Sequence, residues 1–245
     1  MSRLPAPSRA SPDGDTKAVG TTSAGQYINL RPVKLYPNVE TPLKDKGPEH
    51  IDFVVVRENA GGIYTGIGGV THKGTQLENT TQVMTYSRPV VERCVKYAYE
   101  LTRKRNSKKK MLTLVHKCNV LTHAGDLWVR VHKKLGDKFY PEIKQDYNHV
   151  DACTMWFVKQ PEYYDVIVTE NLFGDIVTDL AAIIRDGLGI AASGNTNPEG
   201  VSIFQPTMWG RRHPAQPAFA RPIYSRRRAV EKTRLPPPAR AYLAR

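Results

Sequence analysis

Cysteine is scarce in this 245-residue sequence, and its three copies lie far apart. Cys94, Cys118 and Cys153 form no CxxC pair and have no histidine at the spacing of a zinc site, which argues against a disulfide framework and against a zinc finger. The sequence also lacks any apolar run close to the roughly 18 to 20 residues that a membrane-spanning helix needs. We therefore expect reduced thiols, no membrane segment and a cytoplasmic protein.

Acidic residues are too few to balance the basic ones, since 36 Lys and Arg face 23 Asp and Glu and leave a net charge of +13. The excess is uneven: residues 207–245 hold nine Arg and one Lys against a single Glu. A basic tail of this kind can bind nucleic acid. Because the tail has no pattern of interleaved aromatic residues, we expect nucleic acid to be an unlikely partner.

Large apolar side chains are nearly absent from residues 1–25, which are rich in Pro, Ser, Gly and Ala. Such a segment buries too little surface to offset the entropy lost on ordering, so we predict that it is disordered. Residues 207–245 are rich in Arg and Pro without a sustained period, and we predict that they are unstructured as well. A single folded region over residues 26–206 remains.

This region alternates strand-like and helix-like segments, a pattern typical of an α/β domain. The predicted buried strands are 52–57, 111–115 and 165–169. Helices are predicted after Ser87, from near Thr122 and over 175–185, with hairpins as candidates at 58–75 and 137–148.

Three carboxylates follow predicted strands or begin helices. Asp175 and Asp179 are four residues apart and would share one helix face, and Asp151 precedes an apolar helix. Together they could bind a hard divalent cation. Spacing alone leaves the alternative open that all three only cap helix N-termini.

Basic and aromatic residues lie at other strand ends. Arg57 could grip a carboxylate through two hydrogen bonds, and Tyr64 could donate a proton. Lys117 could act as a base if its surroundings lowered its pKa. Purely structural roles for these three residues stay open on this basis.

Five motifs occur in one order and together resemble the isocitrate/isopropylmalate dehydrogenase family, over about residues 26–206. The GGIY and LRPVKLYP segments are closest to the isopropylmalate branch. The resemblance implies an α/β fold, mainly the second, dimer-forming domain with a remnant of the first from about Asp186 to Pro206. The motifs are YINLRP (27–32), VVRENAGGIYTG (55–66), LVHKCNVL (114–121), HVDA (149–152) and ENLFGDIVTDLAA (170–182), followed by GLGIAASGN (187–195).

The resemblance also implies a role for each candidate residue. Arg31 and Arg57 would bind the carboxylates of a malate-type substrate. Lys117 would take the hydroxyl proton, and Tyr64 would protonate the enol left by loss of CO₂. Mg²⁺ or Mn²⁺ and NAD would be the cofactors, and a homodimer would share its active sites, with Lys117 and Asp151 reaching the neighbouring subunit. The metal ligands would be Asp151, Asp175 and Asp179.

The implied activity is the oxidative decarboxylation of a 2-hydroxy acid in leucine biosynthesis. A related isocitrate, tartrate or homoisocitrate dehydrogenase and a non-catalytic truncated homologue are the alternatives.

Two departures from the family pattern bear on activity. Residues 20–26 lack the further substrate arginine that the family carries before Arg31, and after Gln205-Pro206 the sequence reads TMWGRRHPAQ instead of an HGSAPD-like, adenosine-binding segment. No cofactor-binding residue is therefore assigned. We expect a shifted reading frame or a misjudged splice site there, in preference to an evolved basic tail.

Overall fold

The computed structural model describes residues 25–105, 107, 109–185 and 192–206. Almost all of the predicted disordered segment 1–25 and the whole tail 207–245 lie outside these residues, so the predicted domain boundaries stay predictions. The strands are β1 (Ile28–Lys34), β2 (Asp52–Glu58), β3 (Gly68–Thr71), β4 (Asn79–Gln82), β5 (Met111–His116), β6 (Lys144–His149), β7 (Val166–Thr169), β8 (Ala192–Thr196) and β9 (Ile203–Pro206). The helices are α1 (Arg88–Arg105), α2 (Thr122–Phe139), α3 (Val150–Lys159) and α4 (Asn171–Ile183), with short 3-10 turns at Ile63–Thr65 and Pro161–Tyr163.

Seven strands form one mixed sheet in the order β6-β5-β7-β2-β1-β8-β9, and β3 and β4 form a separate hairpin. The first four strands are parallel, whereas β1, β8 and β9 continue the sheet with antiparallel pairing. In the parallel part, Thr169 lies opposite both Arg57 and Val115, and His116 lies opposite His149. The carboxyl ends of four neighbouring strands therefore meet at one edge.

Helices cover both faces of β5, β7 and β2, which explains why these three strands are almost wholly buried, whereas the edge strand β6 is polar and partly exposed. On one face Val56 and Leu112 pack with Trp128 of α2 and with the buried side of α1. On the other face Val55 and Ile167 pack with side chains of α3 and α4. Alternate residues of one strand thus contribute to two separate cores.

The three predicted buried strands are confirmed as β2, β5 and β7, each to within a residue. Both earlier helices are confirmed too: Trp128 and Val131 of α2 are buried, as are Val91, Cys94, Val95 and Ala98 of α1. Of the candidate hairpins, β3–β4 overlaps 58–75, but 137–148 is wrong, because it joins the end of α2 to the parallel strand β6.

The helix predicted from Asp175 begins four residues earlier, at Asn171. The reason is Glu170, whose carboxylate accepts hydrogen bonds from the amides of Leu172 and Phe173 and caps the helix. The three cysteines are free thiols. Within the described part of the chain, none of the helices is both long and apolar enough to cross a bilayer.

Candidate active site

The sequence-predicted site residues follow the four parallel strands at their shared carboxyl edge. Arg57 lies in β2, Lys117 follows β5, and Asp151 lies in the first turn of α3, directly after β6. Asp175 and Asp179 lie on α4, which follows β7. This edge is where open α/β sheets place their ligands.

Arg57, Tyr64 and Asp175 form the centre of the first group. The guanidinium of Arg57 is buried and donates to Asp175 Oδ1, while the Tyr64 hydroxyl donates to Asp175 Oδ2 at 3.2 Å. The guanidinium also lies 5.6 Å from the centre of the Tyr64 ring. Burial and the negative charge of Asp175 raise the pKa of Tyr64, so the phenol keeps its proton at neutral pH.

Two consecutive residues at the start of α4 hold this group in place. Asn171 Oδ1 accepts from Arg57 Nε at 2.9 Å, and its amide nitrogen donates to the carbonyl of Gly61. Glu170 is fully buried and accepts a hydrogen bond from the Tyr86 hydroxyl at 2.9 Å. Gly62 has a φ of 76°, and a Cβ there would approach Glu170 Oε2 to 3.1 Å, so the turn that carries Tyr64 packs directly on this carboxylate.

Arg31 of β1 adds a second guanidinium to the same group. Its Nε donates to Asn29 Oδ1 at 2.6 Å, and Asn29 in turn donates to Asn195 of β8. Burial lowers the pKa of Arg31 and the nearby charge of Arg57 lowers it further, whereas Asp175 and Asp179 raise it. The charges of Arg57, Asp175 and Asp179 thus all act on the guanidinium of Arg31.

Lys117 and Asp151 form the second group. Lys117 Nζ lies 2.6 Å from Asp151 Oδ1, with the lysine side chain 27% exposed and the aspartate 65% exposed. The hydrogen bond from Lys117 lowers the pKa of Asp151. Lys117 is therefore paired with a carboxylate and more buried than an ordinary loop lysine.

A single chain keeps the two groups apart. Among the described residues, no set of three or more acidic, histidine or cysteine side chains could hold a metal ion, so Asp151 does not join Asp175 and Asp179 in one chain. Asp179 is exposed and has no hydrogen bond or ion pair with any described residue. The donors that α4 offers are carboxylate oxygens four residues apart, which suit a hard cation such as Mg²⁺.

A position at the helix N-terminus does not explain Asp175 and Asp179. Glu170 caps α4, which leaves Asp175 and Asp179 one and two turns inside the helix. The N-cap of α3 is His149, and Asp151 lies after it without capping the helix by a side-chain hydrogen bond.

Sequence analysis missed the residues that support the site: Glu170, Asn171, Tyr86, Asn29 and Asn195. Glu170 and Asn171 begin the motif ENLFGDIVTDLAA (170–182), but the resemblance assigns no role to them. A signal existed, because a Glu-Asn pair directly after a wholly buried strand must find polar partners where the strand ends. Tyr86 and Asn29 carry no such signal, since their partners are far away in the chain.

The motif order agrees with the comparisons with known proteins. The family model described as isocitrate/isopropylmalate dehydrogenase matches residues 21–210. The chain belongs to this family. A 3-isopropylmalate dehydrogenase of Thermobifida fusca is 56% identical over 182 residues, and one of Streptomyces avermitilis is 53% identical over the same length.

Each of these alignments covers 74% of this chain but 51% of the relative, so the chain spans about half the length of the isopropylmalate dehydrogenases that it matches. Two solved structures share the fold. An isocitrate dehydrogenase from Methylococcus capsulatus superposes with a TM-score of 0.72 at 30% identity, covering 84% of this chain and 57% of that one. The TT0538 protein of Thermus thermophilus gives 0.71 at 32% identity, covering 80% and 37%. The predicted α/β fold of the isopropylmalate dehydrogenase type is confirmed.

Proposed function

We propose that this chain carries the greater part of a 3-isopropylmalate dehydrogenase active site, which oxidises and decarboxylates a 2-hydroxy acid in leucine biosynthesis. The observation that carries the proposal is the meeting of Arg31, Arg57, Tyr64 and Asp175 at one end of α4. Relatives that are named for this activity and are more than half identical support the choice of substrate. We place the enzyme in the cytoplasm.

The two arginines are suited to a substrate with two carboxylates. Arg57 is held by Asn171 and Asp175, so its planar group is oriented before a ligand arrives. Arg31 is held by Asn29 and lies close enough for its pKa to fall in the field of Arg57. Bound carboxylates would relieve the repulsion between these two cations.

Asp175 and Asp179, completed by Asp151 of a second chain, would hold Mg²⁺ or Mn²⁺. The fit is supported by the oxygen chemistry of the donors and by Asp179, which forms no ion pair with a described residue. The bound cation would supply Lewis-acid stabilisation of the negative charge that develops on the substrate oxygen during decarboxylation.

Two residues of the chain would move protons. Lys117 would accept the proton of the substrate hydroxyl. Tyr64, which keeps its proton at neutral pH, would donate it to the enol carbon after CO₂ has left. NAD would supply the hydride acceptor.

The separation of the two groups supports a homodimer. The ends of β5 and β2 are two strand intervals apart in the sheet, which amounts to about 10 Å. In one chain Lys117 pairs with Asp151, and Arg57 pairs with Asp175. We propose that Lys117 and Asp151 serve the site of the neighbouring subunit.

The test is NADH formation by the full chain with 3-isopropylmalate, NAD and Mg²⁺. Lys117→Ala and Tyr64→Phe should each lower kcat by about 10²- to 10⁴-fold, as expected for loss of an acid or base. Tyr36→Phe is a matched control, because Tyr36 is an exposed tyrosine away from both groups. Turnover of isocitrate or tartrate alone would contradict the substrate assignment.

A second candidate function is a non-catalytic homologue, favoured by the half-length match to the relatives. A folded dimer that forms no NADH with any of these substrates would support it.

A further inference from the structure

The hydroxyl of Tyr147 contacts the backbone on both sides of Lys117. It accepts a hydrogen bond from the amide of Cys118 at 3.2 Å and lies 3.5 Å from the carbonyl oxygen of His116 as a donor. Its shortest contact is His149 Nδ1 at 2.9 Å. One phenol thus connects the two peptide groups that flank Lys117 with the segment two residues before Asp151.

The strand register explains why Tyr147 can reach this position. Tyr147 of β6 lies opposite Leu114 of β5, and His149 lies opposite His116, so both side chains stand on one face of β6 next to the end of β5. The Tyr147 and His149 rings pack edge to face with centres 5.2 Å apart. The contact with His149 in the same strand therefore helps to fix the orientation of the Tyr147 ring.

The loop that carries Lys117 also packs against α2. A Cβ on Gly125 of α2 would lie 2.6 Å from Cys118 Sγ and 2.7 Å from Cys118 Cα, so the helix packs directly on this residue. The carbonyl of Lys117 accepts from the amides of Val120 and Leu121 at 3.1 and 2.9 Å. Among the described residues, the Tyr147 hydroxyl is the only hydrogen-bond acceptor of the Cys118 amide.

We propose that Tyr147 is a positioning residue that fixes the backbone of Lys117 and so aims its amine at Asp151 and at the substrate hydroxyl. The catalytic part of this role rests on the function proposed above for Lys117. The positioning part rests on the hydrogen bonds alone. Burial raises the pKa of Tyr147 to about 12, so the hydroxyl is present across the neutral range.

The test compares Tyr147→Phe with Tyr36→Phe in the full chain. Tyr147→Phe keeps the ring, and the side chain is 36% exposed at the sheet edge, so the variant should fold. Hydrogen exchange at the Cys118 amide should become about fivefold faster in Tyr147→Phe, as expected for loss of one hydrogen bond. Acetylation of Lys117 by an amine-selective reagent, read by mass spectrometry, should rise about twofold as its pairing with Asp151 loosens. Tyr36→Phe should change neither value.

Kinetics give the third measurement. Because Tyr147 contacts neither Arg31 nor Arg57, Tyr147→Phe should lower kcat by about tenfold or more and leave KM for 3-isopropylmalate unchanged. An unchanged exchange rate at Cys118, unchanged acetylation of Lys117, or a higher KM at constant kcat would each overturn the proposal. Without turnover by the unmodified chain, the proposed function fails, and exchange and acetylation still decide whether Tyr147 positions Lys117.

Discussion

Removal of the Glu170 carboxylate should destabilise the chain strongly. Glu170 is fully buried and accepts three hydrogen bonds, from the amides of Leu172 and Phe173 at 3.1 and 2.8 Å and from the Tyr86 hydroxyl at 2.9 Å. Loss of a helix cap costs about 1 kcal/mol. Leaving the partly buried Tyr86 hydroxyl without its acceptor costs about 1–3 kcal/mol more.

Glu170→Ala should therefore lower the free energy of unfolding by about 3 kcal/mol. Tyr86→Phe removes one hydrogen bond to a charged acceptor and should cost about 1.5 kcal/mol. Both values are measured by urea unfolding followed by circular dichroism, at constant m. Tyr97→Phe, on the same side of the domain but without a hydroxyl hydrogen bond to a described residue, is the control.

The double variant decides whether the two residues act as one unit. If the hydroxyl and the carboxylate stabilise each other, the combined loss should fall short of the two single losses added together by about 1 kcal/mol or more. Losses that add within about 0.3 kcal/mol would refute the coupling and would mean that Tyr86 does not depend on Glu170.

Two further predictions concern packing and pH. Gly174→Ala should lower the free energy of unfolding by about 1–3 kcal/mol through overpacking, because a Cβ at Gly174 would lie 2.4 Å from Arg57 Cγ. The control is Gly69→Ala, where a Cβ meets no atom within 4 Å. Equal urea midpoints for the two variants would contradict the clash. Burial lowers the pKa of His116 and of His132 to about 4, so the unfolded chain binds protons more strongly than the folded chain between the ordinary histidine pKa and that value. The free energy of unfolding should fall as the pH drops through this window, by up to about 1.4 kcal/mol per pH unit for each histidine, and a urea midpoint that rises on acidification would contradict the prediction.

The parallel strands and their helices could be predicted because their signals are local. A run such as residues 52–57 can only be a buried strand in a domain of this kind, and the apolar spacing of α2 gives its inward face directly. The sequence pattern predicts a start of α4 four residues too late. Glu170 directly follows a strand, and only the fold shows that its buried carboxylate caps the helix.

The sequence predicts which residues form the site but not which of them contact one another. The motifs identified Arg57, Tyr64 and Asp175, and the structure brings these three into contact. Sequence alone could not show that Asn171 holds Arg57 or that Tyr147 holds the loop of Lys117. Each of these contacts joins residues at least 29 positions apart, and it depends on the strand order, which no local pattern encodes.

The Glu170-Asn171 pair couples the formation of the site around Arg57 to the formation of α4. Since the residue that begins α4 and the residue that orients Arg57 are adjacent in the chain, the arginine has no rigid partner until the first helical turn has formed. A substitution that altered ligand preference through this turn would also change how cooperatively the domain folds. Variation in specificity should therefore be tolerated more readily at exposed positions around the site than at Glu170 and Asn171.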